Sequence, residues 1–393
     1  MLIALFLICS SLIAYHHVGY PALLRALSTR ARWRPASGRV EDGAPNYFPT
    51  VTIVVPSYNE AAVIASKVEN LLGLDYPANK VCIVIALDGC TDDTKVAASS
   101  AIDRMGLNRE IGLVEYTSNI GKVAVLNDLI SRANSEVLAL TDCSATVSAD
   151  ALTRGVRHFS DPQVGVVCGS YSVEQVGSEE EKRYWAYQIQ MKRDEAAIAA
   201  PMGAHGAFYL FRRSLWSPLP PDTINDDFVL PMSIVLRGYR AVYDDSIVAA
   251  ELERTRKGQD FRRRVRIGAG NVQQALRCCG LAHPKRGMLS LLFISGKGLR
   301  AFVPLLLGLA VLISFSLALS GSAVFQSVVA GELALVFVAL VAAHSRWPGI
   351  VRLKPLSYIL GGYLASAIGG GLLMLGLAGR VWYSSSAGKL GRV

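Results

Sequence analysis

Five acidic residues in this chain sit where chemistry could be done. Asn59-Glu60 follows the β-branched run at 51–55, and Asp88 closes the run VCIVIAL at 81–87. Asp142 closes VLAL at 137–140, and Asp226-Asp227 precedes another apolar stretch. Carboxylates accept hydrogen bonds from a base or ribose, hold hard cations, or take a proton. Each acid taken singly is more often a helix cap or turn former. Several apolar runs ending in polar, partly acidic turns point instead to a nucleotide site.

The elements that must position these residues follow from pattern. The runs at 51–55, 81–87, 113–116 and 137–140 read as buried strands. SYNEAAVIASKVENLL, from Ser57, carries apolar residues at helical spacing, and Asp88 to Thr94 is dense in turn and N-cap residues. Strands alternating with helices predict an α/β domain with a mainly parallel sheet and helices on both faces. Open sheets of that kind bind ligands outside the carboxyl ends of their strands, which is where Asn59, Glu60, Asp88 and Asp142 fall.

The rest of the chain has a different character. Of 393 residues, 51% are apolar and only 18% are charged. No charged side chain occurs from Ala301 to Gly331, the apolar run resumes after Glu332, and another covers 355–379. Since ~20 apolar residues cross a bilayer core, residues 299–380 are expected to supply about three transmembrane helices. Residues 1–24 read as a retained anchor, because basic residues follow the apolar run and none precedes it. The positive-inside rule then places the basic linker 25–47 and the middle of the chain in the cytosol. Helix parity agrees for the basic loop at 344–354 but leaves Arg380, Lys389 and Arg392, in and before the tail 381–393, on the outside. The net charge of +9 suits anionic headgroups, and no nucleic-acid-binding module is present. Seven cysteines without metal-ligand spacing read as free thiols in a reducing cytosol.

TIVVPSYNE, IALDGCTDDT, NIGKVAVLN and LTDCSA, followed by GAHGAFYLFRR and INDDFVL, resemble in order and spacing the family 2 inverting glycosyltransferases of the GT-A fold. The resemblance runs from Val51 to about Gln274, with a catalytic domain over 48–258, and the apolar helices look like the membrane-bound branch that includes polysaccharide synthases. It implies that Pro56, Tyr58, Asn59, Glu60 and Asp88 line the uridine half of a UDP-sugar, where a fixed aspartate can accept from the uracil N3–H. It places the Lys122 ammonium near the diphosphate. It makes Asp227 the base that takes the acceptor's proton, with Asp226 raising its neighbour's pKa. His205 falls on the acceptor side.

The same resemblance implies a D-x-D-like motif holding Mg²⁺ or Mn²⁺ against the diphosphate. Here the motif reads Asp142-Cys143-Ser144, so the second acid is missing and Ser144 offers only a neutral oxygen. Asp142 either holds the metal alone, through water, or contacts the ribose. A second departure lies in 259–277, where Phe261, Val265, Ala269, Val272 and Leu276 form one apolar stripe and arginines cover the other faces. This predicts an amphipathic helix at the membrane surface, within an interfacial segment 259–298. Processive relatives carry a Q-x-x-R-W block nearby. This chain has Arg263 and Arg266, either of which could neutralise a diphosphate, and no tryptophan. Glu332, an acid within a span, has no assigned role.

These readings combine into a multi-pass cell-membrane glycosyltransferase with a cytosolic catalytic domain. It moves a sugar from a nucleotide sugar, UDP-linked first, to a lipid-linked or glycan acceptor, with membrane lipids around it and a homo-oligomer or partner subunits possible. The alternatives are a non-catalytic membrane subunit of a glycan-assembly complex, a processive polysaccharide synthase, and a nucleotidyltransferase, which would release pyrophosphate.

Overall fold

The structure, a computed structural model, describes residues 1–31, 47–105, 110–173, 179–251, 257–345, 350 and 352–378. Most of the linker 25–47, part of the basic loop at 344–354 and the whole tail 381–393 lie outside the described residues, as does Arg380. The chain divides into two compact units, one of residues 25–254 and one of residues 1–24 with 255–393.

The unit 25–254 is built on one mixed sheet. Its strands are β1 (Val51–Ser57), β2 (Val81–Asp88), β3 (Glu110–Tyr116), β4 (Val137–Leu140), β5 (Ala145–Val147), β6 (Val164–Ser172), β7 (Tyr209–Arg212) and β8 (Arg240–Glu251), in the order β3-β2-β1-β4-β7-β6-β8-β5. The first four are the apolar runs that the sequence marks as strands, and they pair in parallel. β1 is central among them and buries Val51, Ile53, Val54 and Val55 almost completely, as a strand covered on both faces must. The register Val54↔Leu140 and Ser57↔Leu87 brings the carboxyl ends of β1, β2 and β4 to one edge.

The second half of the sheet is less regular. β7 runs antiparallel to both β4 and β6, and β5 runs antiparallel to β8. The pairing Leu140↔Tyr209 has a direct consequence. It sets the residues just before β7 beside the residues just after β4, so the segment 203–208 lies against Thr141 and Asp142. Helices α3 (Ile64–Leu72), α4 (Thr94–Met105), α5 (Lys122–Arg132), α6 (Ala151–Arg157), α7 (Glu179–Ile198) and α8 (Asp226–Leu236) complete the unit.

The other unit is helical. Among the described residues, four stretches are long and apolar enough to cross a membrane: Leu2–Ala31, Met288–Leu319, Ala323–His344 and Lys354–Met374. The first contains α1 (Leu2–Ala14), a π-turn at Tyr15–Gly19 and α2 (Tyr20–Ala31). α9 (Lys257–Arg277), α10 (Met288–Leu292), α11 (Leu299–Leu319), α12 (Ala323–His344) and α13 (Lys354–Met374) follow. Glu332 of α12 meets the Ser314 hydroxyl of α11 at 2.9 Å, a pairing between neighbouring helices.

α9 departs from the expected surface helix in one respect. Val265 and Ala269, the middle of its apolar stripe, are buried against α13, while Phe261 and Leu276 at the stripe's ends are exposed. The backbones approach so closely that a Cβ on Gly369 would fall 2.0 Å from the Val265 carbonyl oxygen. Small residues allow this approach, as they do between membrane helices. A stripe read from spacing alone cannot tell lipid from a second helix, since both are apolar.

Candidate active site

Asp88 closes β2 and is almost fully buried. Its carboxylate accepts the backbone N–H groups of Ile120 (2.7 Å) and Gly121 (3.0 Å). It therefore fixes the loop from which α5 starts, and Gly121, at φ 90, supplies the reversal that only glycine makes cheaply. Lys122 is the first residue of α5, so the aspartate on one strand decides where this lysine stands. Each Asp88 oxygen keeps a further lone pair.

Asn59 and Glu60 lie in the turn after β1. Asn59 adopts φ 55, a left-handed conformation that asparagine tolerates best after glycine. Its amide oxygen accepts from the Thr91 N–H (2.8 Å) and its Nδ2 donates to the Thr91 hydroxyl (3.1 Å). The Glu60 N–H donates to Thr94 Oγ1 at 2.8 Å. These bonds tie the turns after β1 and β2 together. Pro56 is half-buried at the end of β1, and Tyr58 is exposed beside it.

Lys122 joins two distant parts of the chain. Its ammonium donates to Asp142 Oδ1 at 3.0 Å and lies 3.3 Å from Asp226 Oδ2. The Lys122 and Asp142 side chains remain 38% and 40% exposed, whereas the Asp226 side chain is only 9% exposed. Burial works against the charge on Lys122, but Asp142, Asp226 and Asp227 outweigh it and hold the ammonium well above its usual range. Burial likewise opposes ionisation of Asp142, and Lys122 overcomes it to hold that carboxyl below the ordinary value. Asp226 Oδ2 is buried without a hydrogen bond, the nearby ammonium being out of line for one.

Asp227 behaves in the opposite way. Burial first, and the Asp226 charge second, push it up to about 6. A carboxyl poised there is ionised at neutral pH and still a competent proton acceptor. α8 begins at Asp226, so both acids occupy its first turn, where the helix dipole favours negative charge.

The segment 203–207 is packed onto both acids. Gly203, at φ 83, leaves no room for a side chain beside Phe228, and a Cβ on Gly206 would fall 2.9 Å from Asp142 Oδ2. His205 accepts from the Ala207 N–H at Nδ1 (3.1 Å) and stacks on Tyr171 with ring centroids 3.9 Å apart. The indole of Trp185, on α7, stands edge-on to His205 at 5.1 Å. Lys192, also on α7, donates to the Gly203 carbonyl at 2.6 Å. Beneath Asp142, the wholly buried Lys67 donates to Thr141 Oγ1 at 2.7 Å and to the Ala145 carbonyl.

The fold thus brings Asp88, Lys122, Asp142, His205, Asp226 and Asp227 into one region. Ser144 lies in the turn after Asp142, half-buried, and among the described residues its hydroxyl makes no hydrogen bond. Arg263 and Arg266 are exposed residues of α9 in the helical unit. Reading by motif missed Tyr171, Trp185, Lys192, Lys67 and Tyr209. Tyr209 heads β7 and carries a buried hydroxyl without a hydrogen bond. Lys67 and Tyr209 lie within SYNEAAVIASKVENLL and GAHGAFYLFRR but carry no signal of a role there, and Tyr171, Trp185 and Lys192 lie outside every such block; only the packing of α3, β6, α7 and β7 brings the five to the acids.

Among the described residues no three His, Cys, Asp or Glu side chains form a metal cluster. The donor set nevertheless suits a hard divalent cation whose remaining ligands come from a substrate. It offers carboxylate oxygens only, one of them buried and without a hydrogen bond, and both already face a cation, the Lys122 ammonium.

Residues 52–217 match the family model Glycosyl transferase family 2, and residues 137–345 match Glycosyl transferase family group 2. The poly-beta-1,6-N-acetyl-D-glucosamine synthase of Staphylococcus aureus is 26% identical over 238 residues, covering 58% of this chain and 56% of that protein. An N-acetylglucosaminyltransferase of Azorhizobium caulinodans is 24% identical over 234 residues, covering 54% of this chain and 57% of that one. The chain thus spans a little over half the length of these relatives. The solved mannosyltransferase PcManGT from Pyrobaculum calidifontis, in complex with GDP-Man and Mn2+, superposes with a TM-score of 0.68 at 25% identity, covering 93% of this chain and 98% of that one. The α/β unit has the GT-A fold.

Proposed function

The chain belongs to Glycosyl transferase family group 2, and from that membership we propose that it transfers a sugar, with inversion, from a nucleoside diphosphate donor to an acceptor hydroxyl at a membrane. The observation that carries this reading is the meeting of Lys122 with Asp142 and Asp226 (3.0 and 3.3 Å), beside an Asp227 raised to about 6. A charge-binding group for a leaving diphosphate and a base for an attacking hydroxyl are what such a transfer needs.

In the reaction, the acceptor oxygen attacks the anomeric carbon from the side opposite the diphosphate. The bond from that carbon to the diphosphate oxygen breaks, and the acceptor's proton passes to the Asp227 carboxylate. The Lys122 ammonium meets the charge left on the departing nucleoside diphosphate. Asp88, with Pro56, Tyr58, Asn59 and Glu60, forms the uridine side. Mg²⁺ or Mn²⁺, held at Asp142 when bound, would add charge neutralisation at the diphosphate. His205 stands on the acceptor side, and Arg263 and Arg266 supply positive charge for a diphosphate or for headgroups.

The donor is taken to be UDP-linked. The names of the relatives, which concern N-acetylglucosamine, support that choice, and the GDP-Man of the solved neighbour makes a GDP-sugar the first competitor. The acceptor is lipid-linked or a glycan, delivered where four apolar helices would anchor the enzyme in the cell membrane with its catalytic unit in the cytosol. The full-length protein in detergent, offered a panel of UDP- and GDP-sugars, should release nucleoside diphosphate with one of them. Release of pyrophosphate instead would make it a nucleotidyltransferase, and neither binding nor release of any nucleotide would make it a scaffold subunit.

A further inference from the structure

The serine two residues after Asp142 leaves a metal motif one carboxylate short, and the fold brings a carboxylate there from elsewhere in the chain. Building on the glycosyl-transfer reading, we propose that Asp226 is the second protein ligand of the divalent cation. The Lys122 ammonium holds the two carboxylates together in the cation's place until metal and nucleotide bind.

Three observations carry this. Asp142 Oδ1 and Asp226 Oδ2 lie 3.0 and 3.3 Å from one nitrogen. Each needs to close by only about 1 Å to reach the ~2.1 Å of a Mg²⁺–oxygen bond. Second, Asp226 Oδ2 belongs to a side chain nine-tenths buried, and it makes no hydrogen bond. An unsatisfied buried acceptor is rare in native proteins and marks an atom kept for a purpose. Third, the side chains paired with the Lys122 ammonium are Asp142 and Asp226, and among the described residues Ser144 makes no hydrogen bond to it.

The charge balance explains why an ammonium alone is not enough. Asp142, Asp226 and Asp227 all act on Lys122, and Lys192 is the second cation acting on Asp227. Lys67 acts on Asp142 in the same way, so three acids face three lysines and no surplus positive charge waits for a diphosphate. A diphosphate entering such a site needs further positive charge to come with it, and a divalent cation supplies it. In that exchange Lys122 leaves the carboxylates and turns to the phosphate oxygens.

The test is Mn²⁺ binding, followed by the loss of the free-ion paramagnetic resonance signal on the full-length protein, alone and with UDP or GDP. Asp226→Asn and Asp142→Asn should each weaken Mn²⁺ binding at least tenfold, while Asp226→Glu retains most of it. Lys122→Met should strengthen Mn²⁺ binding without nucleotide several-fold, because the competing ammonium is gone. That arm does not depend on the folding of the Asp226 variants, and melting curves check every variant. Wild-type Mn²⁺ affinity in a folded Asp226→Asn sinks the proposal, as does a Lys122→Met protein that binds Mn²⁺ no better than wild type. Nucleotide binding and sugar transfer that persist in chelator also overturn it, since the ammonium is then the resident cation, and the transferase reading survives. Failure of every nucleotide sugar to bind or turn over removes both.

Discussion

The backbone N–H of Ala204 donates to the carbonyl of Asp227 at 2.8 Å. That carbonyl sits in the first turn of α8, where residue 231 would normally donate to it. Residue 231 is a proline, which has no N–H. Pro231 thus leaves the carbonyl of the proposed base to the acceptor-side segment. We predict that Pro231→Ala restores an intrahelical partner, loosens the tie to Ala204, and lowers kcat roughly 3- to 10-fold with donor KM unchanged. Steady-state kinetics separate the two parameters, and unchanged kcat would show the tie to be incidental.

Asp227→Asn should fold, bind nucleotide and transfer nothing. In the wild type, activity needs the carboxylate, so kcat/KM should fall as pH is lowered through about 6. The stability effect has the opposite sense. A carboxyl raised by folding binds its proton more tightly in the native state, so wild-type stability declines as pH rises from about 4 to about 6. The asparagine variant lacks that decline and should be the more stable protein at pH 7, by on the order of 1–3 kcal/mol. Melting temperatures of the two proteins at pH 4 and pH 7 check the sign.

Gly206→Ala places a methyl group 2.9 Å from Asp142 Oδ2, so the carboxylate must shift away from Lys122. Donor affinity should drop about tenfold. Calorimetry with the nucleoside diphosphate measures it, and an affinity equal to wild type would mean that Asp142 moves freely without cost.

Asp142→Ala should cost nucleotide affinity much more in the presence of Mg²⁺ or Mn²⁺ than in chelator. An equal loss under both conditions would assign Asp142 to the ribose instead of the metal.

Lys67→Met removes a buried cation whose hydrogen bonds pin Thr141 and Ala145 on either side of Asp142. The Ala145 carbonyl loses a donor, a cost of roughly 1–3 kcal/mol. Burial lowers the Lys67 pKa to about 8. The native state therefore sheds its proton before the unfolded chain does, and this group's contribution to stability rises between about pH 8 and pH 10.5. Comparing denaturant midpoints of wild type and variant across that window isolates the contribution, and parallel curves would show that Lys67 keeps its ordinary titration.

Local pattern in the sequence marks many of the short stretches for what they become. β1 to β4 follow from β-branched apolar runs closed by polar turns, and the four apolar helices follow from length and lack of charge, because both signals are local and fixed by burial. That Asn59, Asp88 and Asp142 share an edge also follows, since parallel strands carry their carboxyl ends to one side. The sequence left β5 to β8 unmarked. It also left open what Asp142 does without a second acid. The tertiary structure decided which groups meet Asp142: antiparallel pairing of Leu140 with Tyr209 lays Gly206 against it, and the Ala204–Asp227 bond brings the start of α8 to the same place. Asp226 meets Asp142 across Lys122 only through those long-range contacts. Charges converge in space by the order of strands in a sheet, and strand order is a property of the whole packed core that no local run of residues encodes.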